Sequence, residues 1–304
     1  MTPSDPSPID GPKKQTITLV GCGDIGRRLA DRLDSTRFHV VGLRRSAIKS
    51  NAIEYRQVDC SNAADLTDAL PQQSDVIVVT MTPSQRSDEG YRQAYVQVVD
   101  NLLAALKQKL PPRLILFVSS TSVYPQSDGQ WIHEDCATEP SSYSGKRLLE
   151  AEQRLQQSPY PSCVVRFSGI YGPDRNRLIE QVIGGEASAD RPPLYSNRIH
   201  IDDCAGVLNH LIEHERPEAL YLASDCSPTP LQEVKQWIAQ QLVLPDNHWQ
   251  RESYSSLRAS KRISNQRLLA SGYIFCYPTF QQGYLPVIQR FCERHPEFPI
   301  REHP

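Results

Sequence analysis

Runs of consecutive apolar residues alternate along this chain with stretches in which apolar positions recur every three or four residues. QTITLVG (15–21) is a short apolar run, and in DIGRRLADRLDS (24–35) Ile25, Leu29 and Leu33 share one helical face. FHVVGLR (38–44) and IEYRQVD (53–59) read as strands, NAADLTDAL (62–70) as a helix stopped by Pro71, and DVIVVTM (75–81) as a buried strand. A long helix is expected over YRQAYVQVVDNLLAALKQKL (91–110), closed by two prolines. RLILFVSS (113–120) predicts a strand, KRLLEAEQRLQQ (146–157) a helix, and SCVVRFSGIYG (162–172) one further strand. Continuous apolar strands, each followed by a helix, predict a doubly wound parallel sheet covered on both faces.

The last third is less regular. NRLIEQVIGG (176–185) reads as a helix closed by Gly184 and Gly185. NRIHIDDCAGVLNHLIEH (197–214) predicts a short strand leading into a helix, with Asp202 and Asp203 available as caps. ALYLAS (219–224) is a strand, and TPLQEVKQWIAQQL (229–242) a helix with Thr229 as cap and Pro230 in its first turn. These pieces are expected to complete the sheet and cover its C-terminal edge. The division is thus a disordered tail over 1–14, rich in Pro, Ser and Asp, a core over 15–172 and a mixed region over 173–304.

Composition narrows the function classes. The 304 residues are 39% hydrophobic and 22% charged, with a net charge of -2, so nothing points to nucleic acid or an anionic membrane as partner. No apolar run reaches the ~20 residues a membrane helix needs. The eight cysteines form no CxxC pair and no metal-ligand cluster, which suits reduced thiols in a cytoplasmic protein.

The chemistry begins at LVGCGDIGRRLA, where Gly21, Gly23 and Gly26 are spaced G-x-G-x-x-G between a strand and a helix. Gly21 suits a tight turn, Gly23 a close approach to a pyrophosphate, and Gly26 the contact of helix on strand. The amides of Asp24 and Ile25 would hold the anion. At the end of the second strand stand Arg44 and Arg45, where a carboxylate would suit the ribose 2′-hydroxyl of NAD. Paired guanidinium bonds suit a 2′-phosphate, so NADP is favoured over NAD. Asp59 ends the third strand, placed either to accept from an adenine amine or to cap the next helix.

With GCGDIG, three further stretches carry a resemblance: FVSSTSVYP (117–125), RFSGIYGP (166–173) and NRIHIDDCAGVL (197–208). The chain resembles the extended short-chain dehydrogenases/reductases, the NAD-dependent epimerase/dehydratase family, over most of its length. The resemblance implies a Rossmann-type α/β fold that binds NAD(P), with a small C-terminal lobe over the substrate, often a nucleotide sugar. Three departures, G-x-G-x-x-G for G-x-x-G-x-x-G, VYP for VYG and an altered Tyr–Lys spacing, make it look like the atypical branch. Homodimers through two sheet-flanking helices are common in the family it resembles.

In that family a serine, a tyrosine and a lysine handle the substrate oxygen. Carried over, they fall on Ser120 (with Thr121 and Ser122 as alternates), Tyr143 and Lys146, and Lys146 would also bond the nicotinamide ribose. A free phenol has a pKa of about 10, and a neighbouring ammonium lowers it. Here the spacing is three, not four, which displaces the phenol by roughly 100° of helix rotation and about 1.5 Å of rise. Ser142 stands four before the lysine. A non-helical approach through EPSSYSGK (139–146) would let Tyr143 swing back.

Three readings stay open: a relocated working pair, a degenerate site served by other groups such as Tyr124, Tyr171 or His200, and a helix start with no catalytic role. Arg166 needs a partner, such as Glu139, or a phosphate-bearing substrate. The expected function is an NADP(H)-dependent oxidoreductase or epimerase-like enzyme acting on a small polar alcohol or carbonyl compound. The rival is a non-catalytic NADP(H) sensor.

Overall fold

Seven strands form one sheet: β1 (Gln15–Val20), β2 (Phe38–Arg44), β3 (Glu54–Gln57), β4 (Val76–Val79), β5 (Leu114–Ser120), β6 (Ser162–Phe167) and β7 (Leu220–Ala223). The computed structural model describes residues 14–50, 52–188, 193–249 and 260–301, and the main chain of 251–253. The expected tail over 1–14 falls outside these residues except for its last position. Strand order is β7-β6-β5-β4-β1-β2-β3, and every neighbouring pair is parallel. Winding runs outward in both directions from β1 and β4, so the loops that follow these two strands diverge and leave a crevice between them.

The strands alternate their side chains between two layers, each covered by helices. On one face Ile17, Leu19 and Val165 meet Leu29 of α1 (Asp24–Ala30) and Leu208 of α7 (Ile201–Glu213). On the other, Val20, Ile115 and Phe117 meet Leu66 of α2 (Ala63–Ala69), Leu102 of α4 (Val98–Leu106) and Leu148 of α5 (Tyr143–Gln156). A third apolar cluster holds the C-terminal lobe together, where α6 (Arg177–Ile183), α8 (Leu231–Gln241) and α9 (Phe280–Arg294) bury Ile179, Ile238 and Ile288.

Several elements differ from the sequence expectation, each for a local reason. The run 162–172 is two strands: after Phe167 the chain leaves the sheet, and Gly169–Tyr171 pairs instead with Arg198–His200. The long helix starts early at α3 (Asp88–Tyr91), capped by Ser87, and widens into a π-helical turn over Arg92–Gln97 before α4. The helix after β3 is capped by Asn62, whose side chain accepts from Ala64 and Asp65, not by Asp59. His200, not an aspartate, caps α7: its ring accepts from the Asp202 amide. Helix α8 begins at Leu231 with Pro230 as its cap, one residue later than predicted.

Candidate functional site

Glycines at the end of β1 shape the crevice. Gly21 has a φ of +83°, and a Cβ there would stand 2.5 Å from Met81 Sδ. Its amide and that of Cys22 both donate to the Leu43 carbonyl, at 3.1 and 2.9 Å, which folds the chain back over β2. The loop after β4 is stitched to the same turn, since Thr80 Oγ1 donates to the Gly21 carbonyl at 2.9 Å. Gly26 brings helix to strand: a Cβ there would lie 3.2 Å from Cys22 Sγ and 3.6 Å from Leu19 Cδ1. Gly23 is different, because its nearest neighbour to an added Cβ is the Gly21 carbonyl at an ordinary 3.8 Å. Among the described residues no atom requires glycine at position 23, and the space beside it is open.

That space belongs to a cleft of about 340 Å³ lined by Gly21, Gly23, Asp24, Ile25, Arg44, Arg45 and Asp59. Gln93 and Ala94 of the π-helical turn also border it, a common place for such a turn. Arg44 lies over the Tyr55 ring at 5.8 Å, and its Nε is buried with no hydrogen-bond partner among the described residues. A buried guanidinium donor left without an acceptor is costly. Asp59 Oδ1 accepts from the amide and hydroxyl of Ser61, at 3.0 and 2.7 Å, and these bonds hold its carboxyl below the usual range. Asp24 does more than offer an amide: its carboxylate takes Arg28 at 3.1 Å and Arg175 at 3.2 Å.

A second cleft of about 920 Å³ opens between the ends of β5 and β6 and the C-terminal lobe. Ser120, Thr121, Ser122 and Tyr124 line it from the sheet side, and Tyr171, Arg198 and Lys261 from the lobe. Arg175 lines both clefts and so marks their junction. Ser120 Oγ accepts from the Ser122 amide at 3.2 Å.

The Tyr–Lys pair is placed by its helix. Ser142 caps α5 by accepting from the Gly145 amide at 3.2 Å, and helical geometry already begins at Tyr143. A non-helical approach to Lys146 is therefore absent: its amide donates to the Ser142 carbonyl at 3.0 Å in a regular turn. Tyr143 is 41% exposed, its hydroxyl donates to the Arg86 carbonyl at 2.7 Å, and its ring meets the edge of Tyr91. Ser142 lines the larger cleft, whereas Tyr143 and Lys146 are not among the residues lining either one.

Other sequence candidates have settled partners. Arg166 pairs with Glu152, not Glu139, at 2.6 Å, and donates to Tyr124 Oη at 2.6 Å. Ser119 donates to the same carboxylate. Burial outweighs the Arg166 charge and pushes the Tyr124 phenol up to about 12. His200 is buried beside Tyr171, and desolvation pulls its imidazole down. Among the described residues no group of His, Cys, Asp and Glu could hold a metal, all eight cysteines are free, and no helix is long and apolar enough to cross a membrane. Arg175, Arg198 and Lys261 escaped the sequence reading. Arg198 sat inside a quoted motif, and the other two carry no spacing signal.

Comparison with curated proteins finds no match. Among solved structures, a Methylobacillus flagellatus protein assigned to the NAD-dependent epimerases/dehydratases shares 32% identity, over 92% of this chain and 99% of its own, with a TM-score of 0.75. UDP-glucuronic acid 4-epimerase from Bacillus cereus, solved with NAD, shares 17% over 91% and 99%, at 0.74. A human epimerase family protein, solved with NADPH, shares 17% over 90% and 99%, at 0.73. These last two show the fold alone. The family model spans residues 17–223, from β1 to the end of β7, and with the glycine turn at the sheet's switch point it places this chain in the NAD dependent epimerase/dehydratase family.

Proposed function

We propose that the protein is an NADP(H)-dependent oxidoreductase or epimerase-like enzyme that acts on a polar alcohol or carbonyl compound, a nucleotide sugar being one such class. The observation that carries the reading is the smaller cleft, lined both by Gly23 with open space beside it and by Arg44, whose Nε has no partner among the described residues, with Arg45. Those two features fit the diphosphate and the 2′-phosphate of one dinucleotide. Bound there, the group would supply or take up hydride. The chain's residues hold it: the amides of Gly23, Asp24 and Ile25 face the diphosphate, Arg44 and Arg45 the 2′-phosphate, and Asp59 the adenine amine. Ser120 is proposed to orient the substrate oxygen in the larger cleft.

Calorimetry with NADPH and NADH tests the cofactor half. Saturable binding with NADPH tighter by tenfold or more supports it, and no binding of either removes it. A consumption assay with NADPH and a panel of aldehydes, ketones and nucleotide sugars tests the other half.

The second reading is a sensor that binds NADP(H) without turnover. It is favoured by one observation, the commitment of the Tyr143 hydroxyl to the Arg86 carbonyl. Tight NADPH binding with no turnover across the panel would support it. A homodimer built on sheet-flanking helices is a further proposal, checked by light scattering.

A further inference from the structure

The larger cleft contains a cation that the reading above leaves without a task. Lys261 lies on the strand Ser260–Ile263, is 8% exposed, and lines the same cleft as Ser120. Its ammonium donates to the Tyr124 carbonyl. The amide of the same Tyr124 closes the turn after Ser120 by donating to the Thr121 carbonyl at 3.3 Å. An ammonium carries three donors, and among the described residues the Tyr124 carbonyl is its one side-chain hydrogen-bond partner. No carboxylate of the described residues pairs with it. A buried, unpaired cation is costly, and desolvation pulls the Lys261 amine down to about 8.

Three phenols near the cleft are engaged: Tyr143 donates to Arg86, Tyr124 accepts from Arg166, and Tyr284 accepts from Arg198 at 3.0 Å. The Tyr171 hydroxyl is buried without a hydrogen-bond partner among the described residues and its pKa is raised by burial, and the Tyr195 ring, also lining the cleft, lies beneath Arg262. Ser142, at the position four before Lys146, caps its helix. The charged groups around Lys261 are mostly positive. Arg86, Arg175, Arg177 and Arg198 line the cleft against Asp174 and Glu180, and Asp174 is tied to Arg294 at 2.6 Å. On its own strand Arg262 lies over the rings of Trp131 and Tyr195, Asp128 stands on the paired strand, and behind Tyr124 Arg166 is neutralised by Glu152. None of these charges adds to the shift; burial is its cause, and burial favours loss of a proton from Lys261 over its retention.

We propose that Lys261 is the catalytic proton carrier of this site, acting on the substrate oxygen held by Ser120. The proposal rests on the dinucleotide-dependent reading. In carbonyl reduction a bound reduced nicotinamide would supply hydride to the carbonyl carbon, and the C=O π pair would move onto oxygen. The Lys261 ammonium gives that oxygen a proton to complete the alcohol. The neutral amine then takes a proton from water through the open cleft. Oxidation of an alcohol runs the same transfers backwards, with the amine as base.

The test uses the full chain, NADPH and a set of carbonyl probes that includes 9,10-phenanthrenequinone and nucleoside-diphosphate ketosugars. Lys261→Ala is expected to bind NADPH within threefold of the parent and to lose 10²- to 10⁴-fold in kcat. Methylamine should restore at least tenfold of that loss in proportion to its concentration. A kcat within threefold of the parent overturns the proposal, as does a loss confined to KM, or a loss that amines do not rescue. Should the alanine variant unfold, Lys261→Met keeps the stem, and ¹³C reductive methylation of the parent reads the Lys261 titration directly. A midpoint near 8 supports the assignment, and one above 10 overturns it. A parent that binds NADPH but turns over none of the probes overturns the proton-carrier role and leaves the nucleotide site standing. A parent that binds no dinucleotide removes the reading beneath it.

Discussion

The phenol of Tyr143 and the main-chain carbonyl of Arg86 are joined by a 2.7 Å hydrogen bond that ties the start of α5 to the loop ahead of α3. Arg147, one turn further along, repeats the tie by gripping Asp88 through two bonds of 2.8 Å. The tyrosine thus braces α5 against the Arg86 segment, which lines the larger cleft. Tyr143→Phe should leave NADPH affinity within threefold and cost about 1 kcal/mol or less in urea unfolding, the value of one exposed hydrogen bond. A loss of turnover larger than tenfold would return Tyr143 to the chemistry.

Two glycines of one turn should respond differently to the same added methyl. At Gly21 the positive φ and the nearby Met81 make Gly21→Ala destabilising by about 1–2 kcal/mol or more. At Gly23 no atom of the described residues objects, so Gly23→Ala should melt within a few degrees of the parent yet lose tenfold or more in NADPH binding. Paired thermal melts and calorimetry on the two variants read the difference.

Arg44 separates the two nicotinamide coenzymes. Removing one charge-assisted contact to a phosphate costs about 1.5–3 kcal/mol, so Arg44→Ala should weaken NADPH by roughly ten- to a hundredfold and leave NADH nearly unchanged. Fluorescence titration with both coenzymes measures the ratio.

The Arg166–Glu152 pair is 5% and 1% exposed and sits beneath Ser119 and Tyr124. Deleting one partner strands a charge in the interior, so Glu152→Ala should cost about 3–5 kcal/mol. Chemical denaturation gives the figure, and a change under 1 kcal/mol would mean that water already reaches the arginine.

Acidity acts through Asp225. Burial raises its carboxyl to about 7, with the Ser227 amide and Arg198 pulling the other way. The folded protein therefore holds a proton that the unfolded chain, at about 3.9, releases. Between these values stability falls as pH rises, by at most roughly 1.4 kcal/mol per unit, and it levels off above about 7. Asp225→Asn should flatten this slope in urea unfolding followed from pH 4 to 8, and an unchanged slope would assign it elsewhere.

The glycine turn, the five core strands from 15 to 120 and their helices were legible because each is a local pattern: apolar runs of strand length and a Gly spacing set against one helix. Ser168, where the chain leaves the sheet, was not, because FSGIYG continues the apolar run in sequence while the break depends on Arg198–His200 arriving from thirty residues away. The π-helical widening at 92–97 also has no local mark, since the run keeps its helical spacing across it. Ser120 could be placed at a strand end by its neighbours. Lys261 could not, as SKRIS gives no hint that its lysine points inward: the partner is a carbonyl 137 residues earlier.

Every contact within the seven-stranded sheet is parallel, so none of it can begin as a hairpin. During synthesis β6 would leave the ribosome with one edge bare, and that edge stays bare until the chain has grown past Ala223. A nascent fragment halted between residues 167 and 220 would expose the unpaired rim of SCVVRF, a ready template for association with its own kind. The C-terminal third thus guards the growing polypeptide before it ever meets a ligand.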